Sequence, residues 1–482
     1  VVNRLKRLKS NVPGLDDILC GGFVEGASYI LRGRPGAGKT ILANQVAFSQ
    51  AREGNSVMYV TLLAESHERL FEALSTLDFY DAQHVGSNMT YVSLFQTLRS
   101  EGLDAVVTML RKEMARRNPT MLVVDGLLTA RDAADDSLDV KTFVAELQAN
   151  AAFSRCTILL LTSAQPGDAS PEHTMVDGVI ELHEDYVGAR TSRRLQVTKS
   201  RGSGALAGLH QYTITQTGMS VFPRLEALLA HPSMLDAAPP ERLASGVDGL
   251  DDLIGGGIPA ASVTLAMGPS GTGKTTLGLS FLKLATPEQP AVMLGFSESP
   301  QRLLRKATAI GIDLESLVAS GAVTLLWRPL TESLADKLAY ELLDAVAAVN
   351  ACRVVVDGYS ALERTILDKT RIVEFFSALG NELKGRGVTL LATWETRNLF
   401  GLSAESPTPE ISGIVDNLLL LQQHPAGADL RRVVGILKIR DGVYPSSMYE
   451  IAVGQGGLHV RGKFDVSNPS VDELRAPAPR VE

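Results

Sequence analysis

GRPGAGKT occupies residues 33–40, and GPSGTGKT occupies residues 268–275. Both fit G-x-x-x-x-G-K-[ST], the loop whose backbone N–H groups cradle phosphates. The first is preceded by ASYILRG, which reads as a strand, and followed by ILANQVAFSQA, which reads as a helix. That order sets the loop at a helix N-terminus, where unpaired N–H groups and the macrodipole favour an anion. Gly33, Gly36 and Gly38, with Ala37 among them, let the backbone turn its N–H groups toward one anion. Lys39 is expected to reach the β- and γ-phosphates, and Thr40 to offer a hydroxyl to Mg²⁺. The second loop repeats the pattern with Gly268, Gly271, Gly273, Lys274 and Thr275, and Ser270, Thr272 and Thr276 join the same expected nucleotide-binding set. At about 7% glycine usage, two such matches in register do not arise by chance. The rival reading is a structural glycine turn.

The loops close two longer stretches that align without a gap. RLKSNVPGLDDILCGGFVEGASYILRGRPGAGKT covers residues 7–40, and RLASGVDGLDDLIGGGIPAASVTLAMGPSGTGKT covers 242–275. Further on, MLVVDG at 121–126 answers VVVDG at 354–358, and QVTKSRG at 196–202 answers GILKIRDG at 435–442. A period near 235 residues is domain-sized and far too long for a solenoid unit. The expectation is therefore a first domain over residues 1–225, a proline-bearing linker over 226–241, a second domain over 242–465 and a flexible tail over 466–482.

Within each half, short β-branched runs alternate with helix-like stretches, the mark of an α/β fold. The runs are almost wholly apolar, so the sheet is expected to be mainly parallel and covered on both faces. Late in each half strands crowd together: VIELHED, RRLQVTKS and QYTITQ, then LLLLQQ, VVGILKI and MYEIAV. These predict an antiparallel extension.

Three further pairs recur. Asp125 and Asp357 end buried apolar strands, where open α/β sheets place their ligands, and are expected to hold Mg²⁺, usually through water; the alternative is an Asp that starts a turn. Glu65 in VTLLAES and Glu298 in MLGFSES follow the second strand of each half and are candidates to orient and deprotonate water. A helix-start glutamate favoured by the dipole is the alternative. Lys199 with Arg201, and Lys438 with Arg440, form K-x-R, so alternation puts each pair on one side of a strand. Such a pair could serve a neighbouring subunit's nucleotide as an arginine finger in trans, or form a solvated basic edge.

Composition constrains the rest. The chain has 482 residues, 45% of them hydrophobic and 21% charged, with a net charge of −8. No apolar run reaches the eighteen or so residues of a membrane span, and VVNRLKRLKS lacks the apolar core of a secretory signal. Cys20, Cys156 and Cys352 are far apart, so buried thiols in a reducing cytoplasm are expected. Nothing in the charge balance calls for nucleic acid.

Together these features resemble the KaiC circadian-clock ATPase family of the RecA-like P-loop group, over about residues 5–465. The GLDDILCGG and GLDDLIGGG openings, the two P-loops, the xES turns, the K-x-R strands and ISGIVDNLLLLQ at 411–422 carry the resemblance. It implies two tandem RecA-like domains in a homohexamer of two stacked rings, with ATP and Mg²⁺ between neighbouring subunits and Lys199, Arg201, Lys438 and Arg440 reaching across. It implies a slow ATPase in the first half and, in the second, autokinase and phosphatase activity on its own Ser/Thr pair. Partners of the KaiB-like or two-component signalling kind follow from the same resemblance. The departures are specific. Clock-type members carry two adjacent glutamates where this chain has Ala64-Glu65 and Ser297-Glu298. Ser412 matches the first member of the phosphorylated pair, but Gly413 stands in place of a threonine, so a two-site cycle cannot run; Ser412 alone is the phosphorylation candidate, against a role only in capping or packing. The short tail makes binding of a clock activator there doubtful.

Two other functions compete. A DNA-handling RecA-like ATPase would line its central loops with cations, yet LLTARDAADDSLDVK at 127–141 is acidic and QPGDASPEHTMVD at 165–177 has no Lys or Arg. A nucleotide-gated scaffold with negligible turnover would carry the same motifs.

Overall fold

The computed structural model describes residues 5–127, 137–163, 174–187, 190–229, 241–329, 334–396, 411–426, 429–440 and 442–465. The chain divides into two compact units, Val1–Leu228 and Leu229–Glu482. Each is built on a nine-stranded sheet with the same strand order.

In the first unit the P-loop strand Ser28–Gly33 lies mid-sheet, parallel to Thr157–Thr162 on one side and to Gly178–Val187 on the other. Met121–Asp125, Val57–Thr61 and Met89–Ser93 continue the parallel part outward. Arg190–Ser200, His210–Thr215 and Gly218–Phe222 form the antiparallel extension. The expected architecture of two tandem RecA-like domains is therefore present, with one refinement. VIELHED belongs to a strand that is parallel to the P-loop strand and antiparallel only to its other neighbour.

The central strands are buried along their whole length, because both faces are covered. One face packs on the P-loop helix Lys39–Arg52 through Leu42, Val46 and Phe48. The other packs under Phe95–Arg117 and Ser137–Ser154 through Val106, Leu110, Phe143 and Leu147. That two-sided burial is why these strands read as continuous rather than alternating apolar runs.

The second unit repeats this plan. Val263–Gly268 is parallel to Thr389–Glu395 and Asn417–Ala426, and Asp429–Ile439, Met448–Gly454 and Gly457–Lys463 form its antiparallel edge. One expectation fails: the thiols are not all buried. Cys156 is buried and its thiol is pushed up to about 12 by desolvation. Cys20 is exposed, because it lies in a tight turn at φ 56°, and its Sγ donates to the Gly204 carbonyl. The tail 466–482, most of the linker 226–241, and residues 128–136 and 164–173, which bear on the DNA reading, lie outside the described residues. Among the described residues no helix is long and apolar enough to cross a membrane.

Candidate functional site

Each P-loop joins its strand to its helix as the motif requires. Gly36 and Gly38 take φ 87° and 92°, and Gly271 and Gly273 take 82° and 101°, values that side chains resist. Gly33 serves differently. A Cβ there would sit 2.6 Å from the Leu182 carbonyl oxygen of the neighbouring strand, and at Gly268 one would sit 2.1 Å from the Leu421 carbonyl oxygen. The first glycine of each loop thus permits close strand approach rather than a turn. Lys39 Nζ donates to the Gly33 and Arg34 carbonyls at 2.8 and 3.0 Å; Lys274 Nζ does the same to Gly268 and Pro269 at 2.8 and 2.5 Å. Both ammonium groups therefore lie inside their own loops. Burial lowers the proton affinity of each, opposed by Asp125 at Lys39 and by Glu395 and Asp357 at Lys274. Ala37 is buried, and Thr272 Oγ1 ties the second loop by donating to the Pro269 carbonyl at 2.9 Å. Ser270, Thr275 and Thr276 sit in the second loop and its helix start.

Asp125 ends its strand facing the first unit's helix start at Lys39–Thr40. Its Oδ2 accepts from Thr40 Oγ1 at 3.2 Å and from Tyr59 Oη at 2.8 Å. Burial raises its proton affinity, and the Tyr59 and Thr40 hydrogen bonds, then Lys39, oppose that rise. A hydroxyl and a carboxylate converging at the phosphate end of a helix are hard oxygen donors of the kind Mg²⁺ takes. Asp357 holds the same place in the second unit, with Thr393 Oγ1 donating to its Oδ1 at 2.7 Å.

Glu65 is exposed in the loop before the helix His67–Leu74, close enough to Asp125 to repel its charge. Glu298 is half-buried and shares a pocket with Asp357, Phe296 and Trp327. Its Oε1 accepts from Lys306 Nζ at 2.9 Å.

The K-x-R pairs lie at the other end of the sheet. Lys199 is level with Val179, and Val179 with Ile30, three residues before Gly33. Lys438 is level with Leu418, and that with Leu265. Both cations of the first pair reach the Thr174 carbonyl, Lys199 at 2.8 Å and Arg201 at 3.4 Å, so they do share a side. Lys438 Nζ donates to the Ser412 and Val415 carbonyls at 3.0 and 2.7 Å, and Arg440 pairs with Asp416 at 2.7 Å. Ser412 lies in the short helix Ile411–Ile414. The structure therefore brings together P-loop, Asp and Glu in each unit, and keeps K-x-R away from its own P-loop.

Two neighbours escaped the sequence reading. Tyr59 clamps Asp125 from the adjacent strand, a position held by Met293 in the second unit. Glu395 ends its strand level with Gly268 and beside Lys274. An acid ending TLLATWE is the signal that could have found it, just as it found Asp357 at the end of VVVD.

A family model described as the KaiC ATPase matches residues 8–226 and again residues 243–463. The chain is 24% identical to the circadian clock oscillator protein KaiC of Picosynechococcus sp., over 96% of this chain and 91% of that protein. It is 24% identical to the circadian clock oscillator protein KaiC 1 of Synechocystis sp., over 95% and 90%. With the circadian clock protein KaiC3 of the same organism the identity is 26%, over 95% and 92%.

Proposed function

The chain belongs to the KaiC ATPase family, and from that premise we propose that it is a clock-type signalling ATPase: a double-ring homohexamer that hydrolyses ATP at its subunit interfaces. The domains would be residues 1–225 and 242–465, joined by 226–241. The observation that carries the reading is the convergence of Lys39, Thr40 and Asp125 around the first loop, with Asp357 near Lys274 in the second.

ATP is the substrate. On its arrival, Lys39 and Lys274 exchange the carbonyl oxygens of residues 33–34 and 268–269 for phosphate oxygens. The backbone N–H groups at Gly36, Gly38, Gly271 and Gly273 then face the phosphates. Thr40 with Asp125, and Thr275 with Asp357, would hold Mg²⁺, which would neutralise phosphate charge there. Glu65 and Glu298 would each accept the proton of the attacking water. Lys199, Arg201, Lys438 and Arg440 would complete the neighbour's site, as their distance from their own P-loops supports. Ser412 is the candidate acceptor for autophosphorylation, and KaiB-like or two-component proteins are the partners this reading implies.

Phosphate release from wild type, Glu65→Gln, Glu298→Gln and the double variant tests the core of it. Each single change is expected to remove most of one site's turnover, about 10²–10⁴-fold there, and the double variant to be almost silent. A double variant as active as wild type would eliminate both glutamates. Wild type that binds ATP without releasing phosphate would favour the scaffold reading.

A further inference from the structure

Glu65 and Glu298 occupy matching places in the two units, but their surroundings differ. Glu65 is exposed, and among the described residues it makes no hydrogen bond or ion pair. Among the described residues, Glu298 is held at one oxygen only. Its Oε1 accepts from Lys306 Nζ at 2.9 Å, whereas its Oε2 is enclosed and has no donor. An enclosed carboxylate oxygen without a donor is unfavourable and persists where a ligand supplies the missing O–H. The pocket that Glu298 lines also contains Asp357 at the carboxyl end of its strand.

Lys306 comes from the helix Pro300–Ala309, one residue before the buried Ala307 that anchors this part of the helix to the core. Arg302 and Arg305 line the same depression as Lys306, so Glu298 is its acid among three cations. Counting from the N-cap serines Ser66 and Ser299, the first unit has Ala73 where the second has Lys306. No cation can hold Glu65 from that position.

We propose that Lys306 is a positioning residue of the second nucleotide site, pinning Oε1 of Glu298 so that Oε2 faces the attacking water. This rests on the reading of Glu298 as that site's base. In the step it serves, the water oxygen bonds to the γ-phosphorus while the water's proton passes to Oε2. The bond from the γ-phosphorus to the bridging oxygen breaks, ADP leaves with that electron pair, and the proton later passes from Glu298 to phosphate or solvent. Fixing the carboxylate in advance removes an ordering cost that the first site, with Ala73 in place of the lysine, must meet when substrate binds.

The test uses full-length protein carrying Glu65→Gln, so that the second site dominates, with the Glu65→Gln/Glu298→Gln protein as baseline. Steady-state phosphate release and thermal melting are measured for Lys306→Met and Lys306→Arg in that background. Lys306→Met is expected to lower kcat by up to about 100-fold, the scale of a 1 Å misplacement of a catalytic group, with KM for Mg·ATP and Tm nearly unchanged. Lys306→Arg is expected to recover most of the loss. Unchanged or increased kcat in Lys306→Met overturns the inference and leaves Glu298 as base. A fall in kcat together with a rise in KM, a fall in Tm and no recovery in Lys306→Arg means a structural role, and overturns it too. If the baseline protein retains the turnover of Glu65→Gln alone, Glu298 is not the base, and that separate failure is visible in the control.

Discussion

At Asp125 function and stability act against each other. Desolvation raises its proton affinity above that of an unfolded aspartate, although Tyr59, Thr40 and Lys39 offset part of the rise. The native state therefore holds its proton to higher pH than the unfolded state does. Stability contributed by this group is present at low pH and falls as pH rises from the unfolded aspartate value through the raised native value. Asp125→Asn removes that penalty. The nucleotide-free variant is expected to melt above wild type at pH 7, with a gain that shrinks as pH drops into the carboxylate range, while its Mg²⁺-dependent affinity for ATP falls about 10–100-fold, a typical cost of altering a metal-site partner. Melting curves across pH and a nucleotide titration check both. The sequence made Asp125 legible because it ends an apolar strand before a glycine. Tyr59 was not legible, because its contact depends on which strand lies beside Met121–Asp125.

Elements were legible where one local pattern dominates. Continuous apolar runs announced the buried parallel strands, and the glycine-rich loops announced the helix starts at Lys39 and Lys274. Features set by register were not legible. In both units a bulge sits just before the K-x-R lysine, at Thr198 and at Leu437, and such an extra residue appears only once the partner strand is known. The two kinds of glycine separate in the same way. Gly33→Ala drives a Cβ against the Leu182 carbonyl of the adjacent strand and is expected to cost about 1–3 kcal/mol, the usual penalty of overpacking. Gly413 has open space around its missing Cβ and no positive φ. Gly413→Thr, which sets a second hydroxyl beside Ser412, is expected to stay within about 0.5 kcal/mol of wild type. Chemical denaturation of both variants measures the contrast.

For the whole molecule, duplication is the most legible property: the 7–40 and 242–275 stretches align without gaps, and the two sheets share one strand order. The asymmetry between the units was less legible, since Tyr59 against Met293, Glu395 at the second P-loop alone and Lys306 against Ala73 matter only once side chains are in place. The proposed division of each site between subunits rests on where the sheet puts its parts. K-x-R is level with residues three positions before the first P-loop glycine, about 10 Å of strand, and two strands to the side, about another 10 Å. That distance from its own P-loop supports the proposal that it serves a neighbour's nucleotide. The direct measurement is phosphate release from mixed subunits. One parent carries Lys39→Ala and Lys274→Ala, and so lacks nucleotide but keeps its K-x-R cations. The other carries Arg201→Ala and Arg440→Ala, and so keeps nucleotide but lacks its fingers. Each alone is expected to be nearly inactive, and subunit exchange between them is expected to restore turnover. A mixture no more active than its parents, in hexamers proven to contain both, would contradict completion of the site by the neighbouring subunit.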